Sequence, residues 1–166
     1  MPPSLQDIVF DVLPAISCIL AILFKVQSIE LRAEGKLFWN TLSSKFCTAF
    51  QTCLRFRPIK EVVISNINVF PLDSFDDSKH LKKLLLSGQF TSGERVSTLS
   101  YPCLSSLRVE TQPAEGQPAS DLTKLVSWTK TNTLHTLTLR MHQRMDLPNF
   151  MPLIKACSNN TGQSRA

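Results

Sequence analysis

Histidine and cysteine are the residues of this chain best suited to act as metal ligands, proton carriers or nucleophiles. The histidines are His80, His135 and His142. None of them forms a recognisable zinc-ligand pattern with a cysteine or an acidic residue. Cys103 and Cys157 would each need a partner histidine for activation, and the spacing of the chain predicts no such pair. These residues therefore predict neither a metal centre nor a catalytic site.

The densest acidic group consists of Asp73, Asp76 and Asp77. Neighbouring carboxylates can bind a cation, but acidic residues are also common in the first turn of a helix, where the dipole favours negative charge. We interpret the group as the start of a short helix around Leu72–Lys79. The 5 glycines stand singly, so no phosphate-binding loop is predicted. We expect no enzyme and no cofactor.

Composition limits the compartment and the class of partner. The 5 cysteines are odd in number, contain no C-x-x-C pair and follow no secretory signal. This pattern predicts free thiols and an intracellular protein, cytoplasmic or nuclear. The net charge is +5, but the 18 basic residues are scattered. A nucleic-acid interface would need a denser basic stripe with stacking aromatics, so we expect no nucleic-acid partner.

The N-terminal residues 1–25 contain the most apolar stretch, Val12–Phe24. It has 13 residues and includes Pro14, whereas a membrane span needs about 20 apolar residues. No positive charge precedes it, as a signal peptide would require. We predict a buried helix rather than a membrane span, with an interfacial or aggregation-prone helix as the alternative.

Five short segments share a pattern in which an apolar residue is followed by others three and five positions later. Their starting points are separated by 33, 22, 23 and 30 residues. The pattern is that of the strand of a leucine-rich repeat, whose period is roughly 20–29 residues. The segments are Val26-Ile29-Leu31, Ile59-Val62-Ile64, Leu81-Leu84-Leu86, Leu104-Leu107-Val109 and Leu134-Leu137-Leu139.

The segments between these strands predict helices and loops. Apolar residues recur at helical spacing over Lys36–Phe56, after Gly35 and before Pro58. Shorter helices are expected near 120–130 and 148–157, with a disordered tail over 159–166. Strands joined by such crossings run parallel. We therefore predict an α/β fold over residues 26–158: an irregular leucine-rich-repeat solenoid with about five parallel strands on its concave side and helices on its convex side.

Alternation along the strands predicts which side chains face outward. The first, fourth and sixth positions should face the core, and the third, fifth and seventh the concave side. Glu61 should then pair with Lys83. Val63 and Leu85 should form an apolar spot, either a contact site or a surface covered by a neighbouring loop. The predicted partner-binding residues on this face are Glu30, Glu61, Val63, Lys83, Leu85, Arg108, Glu110, Thr138 and Arg140.

The run FRPIKEVVISNINVFPLDSFDDSKHLKKLLLSGQF, preceded by LFWNTLSSKFCTAFQTCL, resembles the F-box/leucine-rich-repeat-like proteins of mushroom-forming fungi. The resemblance covers most of residues 24–155. It implies that the repeats receive the substrate of a cullin-type ubiquitin ligase, while an F-box binds a Skp-type adaptor. PPSLQDIVFDVL resembles the first helix of an F-box, but the further helices are missing, because the first strand begins at Val26. Adaptor binding is therefore expected only of a longer product that carries an F-box, and this chain is a divergent member, a truncated one or a fragment.

The repeats depart from the usual pattern at the position eight residues after the first leucine, where asparagine or cysteine is typical. That position is occupied by Glu34, Ile67, Gln89, Gln112 and His142. A continuous asparagine ladder is therefore not expected, and the solenoid should be irregular. The sequence favours a non-catalytic protein-interaction module whose protein partner is unknown. The alternative is a self-associating fragment with a membrane-interacting N-terminal helix.

Overall fold

The computed structural model describes residues 26–92, 102–111, 122–129, 133–141 and 147–161. The N-terminal helix predicted within residues 1–25 lies outside these ranges, as do His142 and residues 162–166 of the predicted tail. Among the described residues, no helix combines the length and the apolar character needed to cross a membrane.

The described part of the chain forms a mixed α/β structure around one parallel sheet. Its strands follow each other in the sheet in the order β1-β2-β3-β4-β5, and every neighbouring pair is parallel. Parallel neighbours need a crossover connection, as the sequence predicted. The strands are β1 Ser28–Phe38, β2 Glu61–Pro71, β3 Lys83–Thr91, β4 Ser106–Thr111 and β5 Thr136–Met141.

Three α-helices and two short 3-10 turns are described. The helices are α1 Ser44–Phe56, α2 Thr123–Thr129 and α3 Leu147–Thr161, and the turns are Trp39–Thr41 and Leu72–Phe75. Ser43 caps α1, because its hydroxyl accepts a hydrogen bond from the Phe46 backbone N–H at 3.2 Å. α3 continues to Thr161, past its predicted end near Cys157.

The helix predicted over Lys36–Phe56 is wrong in its first part. β1 continues through Gly35 to Phe38, and α1 begins only at Ser44. After a break in register that follows Arg32, Leu37 and Phe38 pair with Ile67 and Asn68 of β2. Pairing with a neighbouring strand therefore overrides the helical spacing of these apolar residues.

The prediction of a short helix around Leu72–Lys79 is also wrong in its length. Only the 3-10 turn Leu72–Phe75 forms. Asp77 has a φ of 66°, outside the helical region. The strands before and after this turn are longer than predicted, since β2 reaches Pro71 and β3 reaches Thr91.

The core lies against one face of the sheet and is built by the repeated apolar triplets. In β1 to β4 the second and third residues of each triplet are at most 5% exposed. Leu137 and Leu139 of β5, the last strand of the sheet among the described residues, are only half-buried.

Aromatic rings connect α1 and α2 to this core. Trp39 contacts Phe70 with ring centroids 4.7 Å apart, Phe70 contacts Phe75 at 5.4 Å, and Phe75 contacts Trp128 of α2 at 5.9 Å. Phe50 of α1 joins the row through Phe70 at 6.2 Å. Both tryptophans are buried.

Beyond the repeated segment, β2 has an irregular backbone. Asn66 and Val69 have φ values of 60° and 57°, a conformation that is unusual for any residue other than glycine and rarer still for valine. The register between β2 and β3 shifts in the same region. The Asn66 side-chain amide donates a hydrogen bond to the Ala33 carbonyl of β1 at 2.9 Å. Asn66 thus makes a cross-strand bond one position before Ile67, where the repeat pattern would place an asparagine.

Candidate functional site: the polar face of the sheet

The face of the sheet opposite to the core carries three rows of aligned side chains, one row for each outward-facing position. The register matches the rows expected from the alternation. We call these residues the polar face: the middle row is Glu30, Val63, Leu85, Arg108 and Thr138; one flanking row is Ser28, Glu61, Lys83, Ser106 and Thr136; the other is Arg32, Ser65, Ser87, Glu110 and Arg140.

A repeated backbone bond sets this alignment. At the start of each strand from β2 to β5, two consecutive backbone N–H groups donate to one carbonyl of the preceding chain segment, at distances of 2.8–3.1 Å. The carbonyls belong to Gln27, Lys60, Lys82 and Ser105. Because every strand enters the sheet in the same way, side chains of equal position fall into line across it.

The polar face is accessible to different degrees from one strand to the next. Val63 and Leu85 are direct neighbours in register and are both half-buried. Beside them Ser65 is half-buried and Ser87 is buried. Thr138 and Arg140 of β5 are exposed. A small apolar spot therefore occupies the middle of the face, with charged side chains around it.

The charged side chains of the polar face pair with one another. Glu61 and Lys83 are 3.8 Å apart, which confirms the predicted cross-strand ion pair. On β1, Arg32 donates to Glu30 at 2.5 Å. These four side chains are 37–64% exposed, so each pair contributes under about 1 kcal/mol to stability.

A third charge group spans β4 and β5. One oxygen of Glu110, Oε2, lies 3.8 Å from a terminal nitrogen of Arg108 and 4.0 Å from one of Arg140. Both distances exceed the usual N–H···O range of 2.7–3.2 Å. The Arg108 Nε is buried and makes no hydrogen bond within the described residues. Two guanidinium groups thus lie around one carboxylate without close hydrogen bonds to it.

The acidic group after β2 binds basic side chains of the same chain. Lys124 of α2 donates to Asp73 and, at 2.8 Å, to Asp76. Asp77 pairs with Arg55 of α1 at 3.2 Å. Burial by itself would lower the pKa of Lys124, but hydrogen bonds from the ammonium to the two carboxylates and their negative charges outweigh it and raise that pKa. The sequence pattern of the three carboxylates suggested a cation site or the start of a helix. In the structure two of them bind α2 and the third binds α1.

The candidate reactive groups among the described residues include two thiols of α1 and two imidazoles. Burial raises the pKa of the Cys53 thiol, partly offset by Arg57, and burial also raises the pKa of Cys47. A raised pKa disfavours the reactive thiolate. His80 and His135 are exposed, and His135 Nδ1 lies 2.6 Å from the Thr133 carbonyl oxygen. Within the described ranges, no group of three or more metal-ligating side chains occurs.

Sequence reasoning missed three residues that hold the sheet and its helices in place: Asn66, Lys124, and Gly88, whose φ is 140° and whose backbone lies against Ile67 of β2. Only Lys124 had a visible signal in the sequence, because it lies between two apolar residues, Leu122 and Leu125, in a predicted helix. In the structure both leucines are buried and Lys124 is 9% exposed. A lysine in such a position needs acidic partners. The roles of Asn66 and Gly88 depend on irregular backbone that alternation does not indicate.

Comparison with known proteins adds no family to this geometry. No protein-family model matches the chain, and no curated protein matches its sequence significantly.

Proposed function

We propose that this chain is a non-catalytic protein-interaction module of the irregular leucine-rich-repeat type, and that its polar face binds a protein partner. The observation that carries the proposal is the alignment of fifteen outward side chains in three rows over five parallel strands. The repeated entry of each strand, with one carbonyl accepting two N–H groups, supports the repeat architecture. Leucine-rich solenoids present such faces as extended binding surfaces.

The chemistry of the face supports binding of a protein rather than a small molecule. Its centre is apolar at Val63 and Leu85, and its rim is charged and exposed. Protein interfaces commonly combine an apolar centre with a polar rim. In a longer product that carries an F-box, the same face would receive the substrate of a cullin-type ubiquitin ligase, with the Skp-type adaptor held elsewhere.

Site-specific photo-crosslinking tests this proposal. A photoreactive amino acid at Leu85 should capture a partner from extract, whereas the same group at Thr48, an exposed position on α1, should not. Capture at Leu85 should fall when Val63→Thr is added, because the apolar centre is then interrupted. Equal capture from both positions, or capture that Val63→Thr leaves unchanged, would contradict binding at this face.

Self-association is a second candidate, favoured by one observation. Leu134, Leu137 and Leu139, in and just before the last strand of the described sheet, are only half-buried, and a partly exposed apolar edge can pair with another chain. Sedimentation of the full chain distinguishes the two functions. A dimer that Leu137→Lys converts to monomer would favour self-association, and a monomer over the accessible concentration range would exclude it.

A further inference from the structure

The charge group on β4 and β5 differs from the other ion pairs of the polar face. Glu30 with Arg32 and Glu61 with Lys83 each join one acid to one base. Arg108 and Arg140 instead share Glu110. Of the charged side chains in the three rows, four are basic and three acidic. The excess positive charge therefore belongs to this side of the face.

Glu110 holds the two arginines only at long range. The nearest nitrogens of Arg108 and Arg140 lie 3.8 and 4.0 Å from Glu110 Oε2, beyond close hydrogen-bond distance. A guanidinium binds a carboxylate best through two parallel N–H···O bonds. An incoming carboxylate between Arg108 and Arg140 could accept such bonds from both.

The apolar spot lies next to these donors. Leu85 is the direct register neighbour of Arg108, and Thr138 follows Arg108 in the same row. Neighbouring strands are about 4.8 Å apart, so Leu85 and β5 are separated by about 10 Å, which an extended peptide covers in about three residues. One short segment can therefore reach both features.

We propose that the partner of the polar face presents an extended segment in which an aspartate or glutamate stands two to four residues from a large apolar side chain. The apolar side chain contacts Val63 and Leu85, and the carboxylate binds between Arg108 and Arg140. This inference rests on the proposed function, because it assumes that the polar face binds protein, and it adds the chemical class of the segment that is recognised.

Selection of random dodecapeptides displayed on phage, with the full chain as the bait, tests the proposal. Enriched peptides should carry an acidic residue two to four positions from a leucine, isoleucine, valine or phenylalanine. Synthetic copies should bind about tenfold more weakly to Arg108→Gln/Arg140→Gln, because a lost charge-assisted bond is worth about one factor of ten or more. Lys45→Gln/Lys155→Gln, which removes two bases from exposed helical positions outside the polar face, should leave binding unchanged.

Glu110→Gln gives an effect of opposite sign, which a misfolded variant cannot imitate. It removes the resident carboxylate that competes for both arginines, so acidic peptides should bind several-fold more tightly. Binding should also weaken at high salt, which screens exposed charges.

The failures of this inference and of the proposed function are distinguishable. Enriched peptides without acidic residues whose binding is lost in Val63→Thr/Leu85→Thr overturn the carboxylate site and keep the binding face. Peptides that bind all these variants equally, or no enrichment at all, overturn both. Sedimentation that shows a dimer lost on Arg140→Gln would make a second copy of this chain the occupant, and the inference would fall.

Discussion

Gly88 lies where β3 passes closest to the backbone of β2. A Cβ atom at this position would be 2.6 Å from the carbonyl oxygen of Ile67, and the φ of Gly88 is 140°. Ile67 itself is fully buried, so its carbonyl has little room to move. Only glycine satisfies both the contact and the backbone conformation.

We therefore expect Gly88→Ala to lower the free energy of unfolding by at least about 2 kcal/mol, from backbone strain together with the contact. The matched control is Gly35→Ala in β1, where an added Cβ would meet no atom within 4 Å and the change should stay below about 1 kcal/mol. Urea unfolding followed by circular dichroism measures both. Equal effects of the two substitutions would contradict a close approach of β3 to β2.

Lys124 and its two carboxylates form the most buried charge group among the described ion pairs. Lys124 is 9% exposed on its side chain and Asp76 is 10% exposed. Lys124→Met removes the ammonium from both acids, and we expect it to lower the free energy of unfolding by about 3 kcal/mol at neutral pH. Lys79→Met, at an exposed lysine, is the control and should change little.

The same substitution has a distinct pH dependence. The pKa of Lys124 is raised in the folded chain, so its contribution is fully present below the unfolded value of about 10.4 and is lost as the pH rises through the folded value. The stability difference between the original chain and Lys124→Met should therefore shrink above pH 10.5 or so. A difference that stays constant from pH 7 to the alkaline limit of folding would show that the ammonium is not the cause.

At the scale of the elements, the aromatic row decides how α1 lies against the sheet. Phe70 is fully buried and touches Trp39, Phe50 and Phe75. Phe70→Ala would leave a cavity at the centre of the row, and we expect it to lower the free energy of unfolding by about 3–5 kcal/mol. Phe56→Ala at the end of α1 should lower the free energy of unfolding by under about 1 kcal/mol, because that ring is 72% exposed. Thermal unfolding of the two variants checks the comparison, and similar losses would refute this packing.

The parts of the elements that the sequence predicted are those governed by strict alternation. The triplets of β1 to β4 placed each strand, its parallel neighbour and its outward rows correctly, since a slip by one residue would expose every buried leucine. The continuations of β1 to Phe38, β2 to Pro71 and β3 to Thr91 were missed. Their pairing runs through breaks in register, and the positive φ of Asn66 leaves no regular period to recognise.

The candidate site follows the same division. Alternation was sufficient to predict the rows of the polar face and the pair of Glu61 with Lys83. It was not sufficient to show that Arg108 and Arg140 share one acid, because that depends on how long side chains bend across two strands. Nor did it reveal that Lys124 binds acids 48 and 51 residues away along the chain.

At the scale of the whole molecule, stability should decrease from the middle of the sheet towards its edges. β2 and β3 have neighbours on both sides, and their inward residues Val62, Ile64, Leu84 and Leu86 are at most 2% exposed. β5 has one strand neighbour among the described residues, and its inward leucines are half-buried. At β5 the exposed Arg140 opposes pairing with another chain, whereas the half-buried leucines favour it.

Hydrogen exchange followed by mass spectrometry tests this gradient. Peptides that cover Val62–Ile64 and Leu84–Leu86 should exchange only by global unfolding, while a peptide that covers Leu137–Leu139 should exchange at least about tenfold faster through local opening of the edge. Adding Phe70→Ala should accelerate the central peptides, since their exchange follows the global free energy, and should affect the edge peptide much less. Uniform exchange over all five strands would mean that the sheet opens as a single unit. In that case the half-buried leucines of β5 would be held as firmly as those of the centre, and the edge would offer no easily opened site for a second chain.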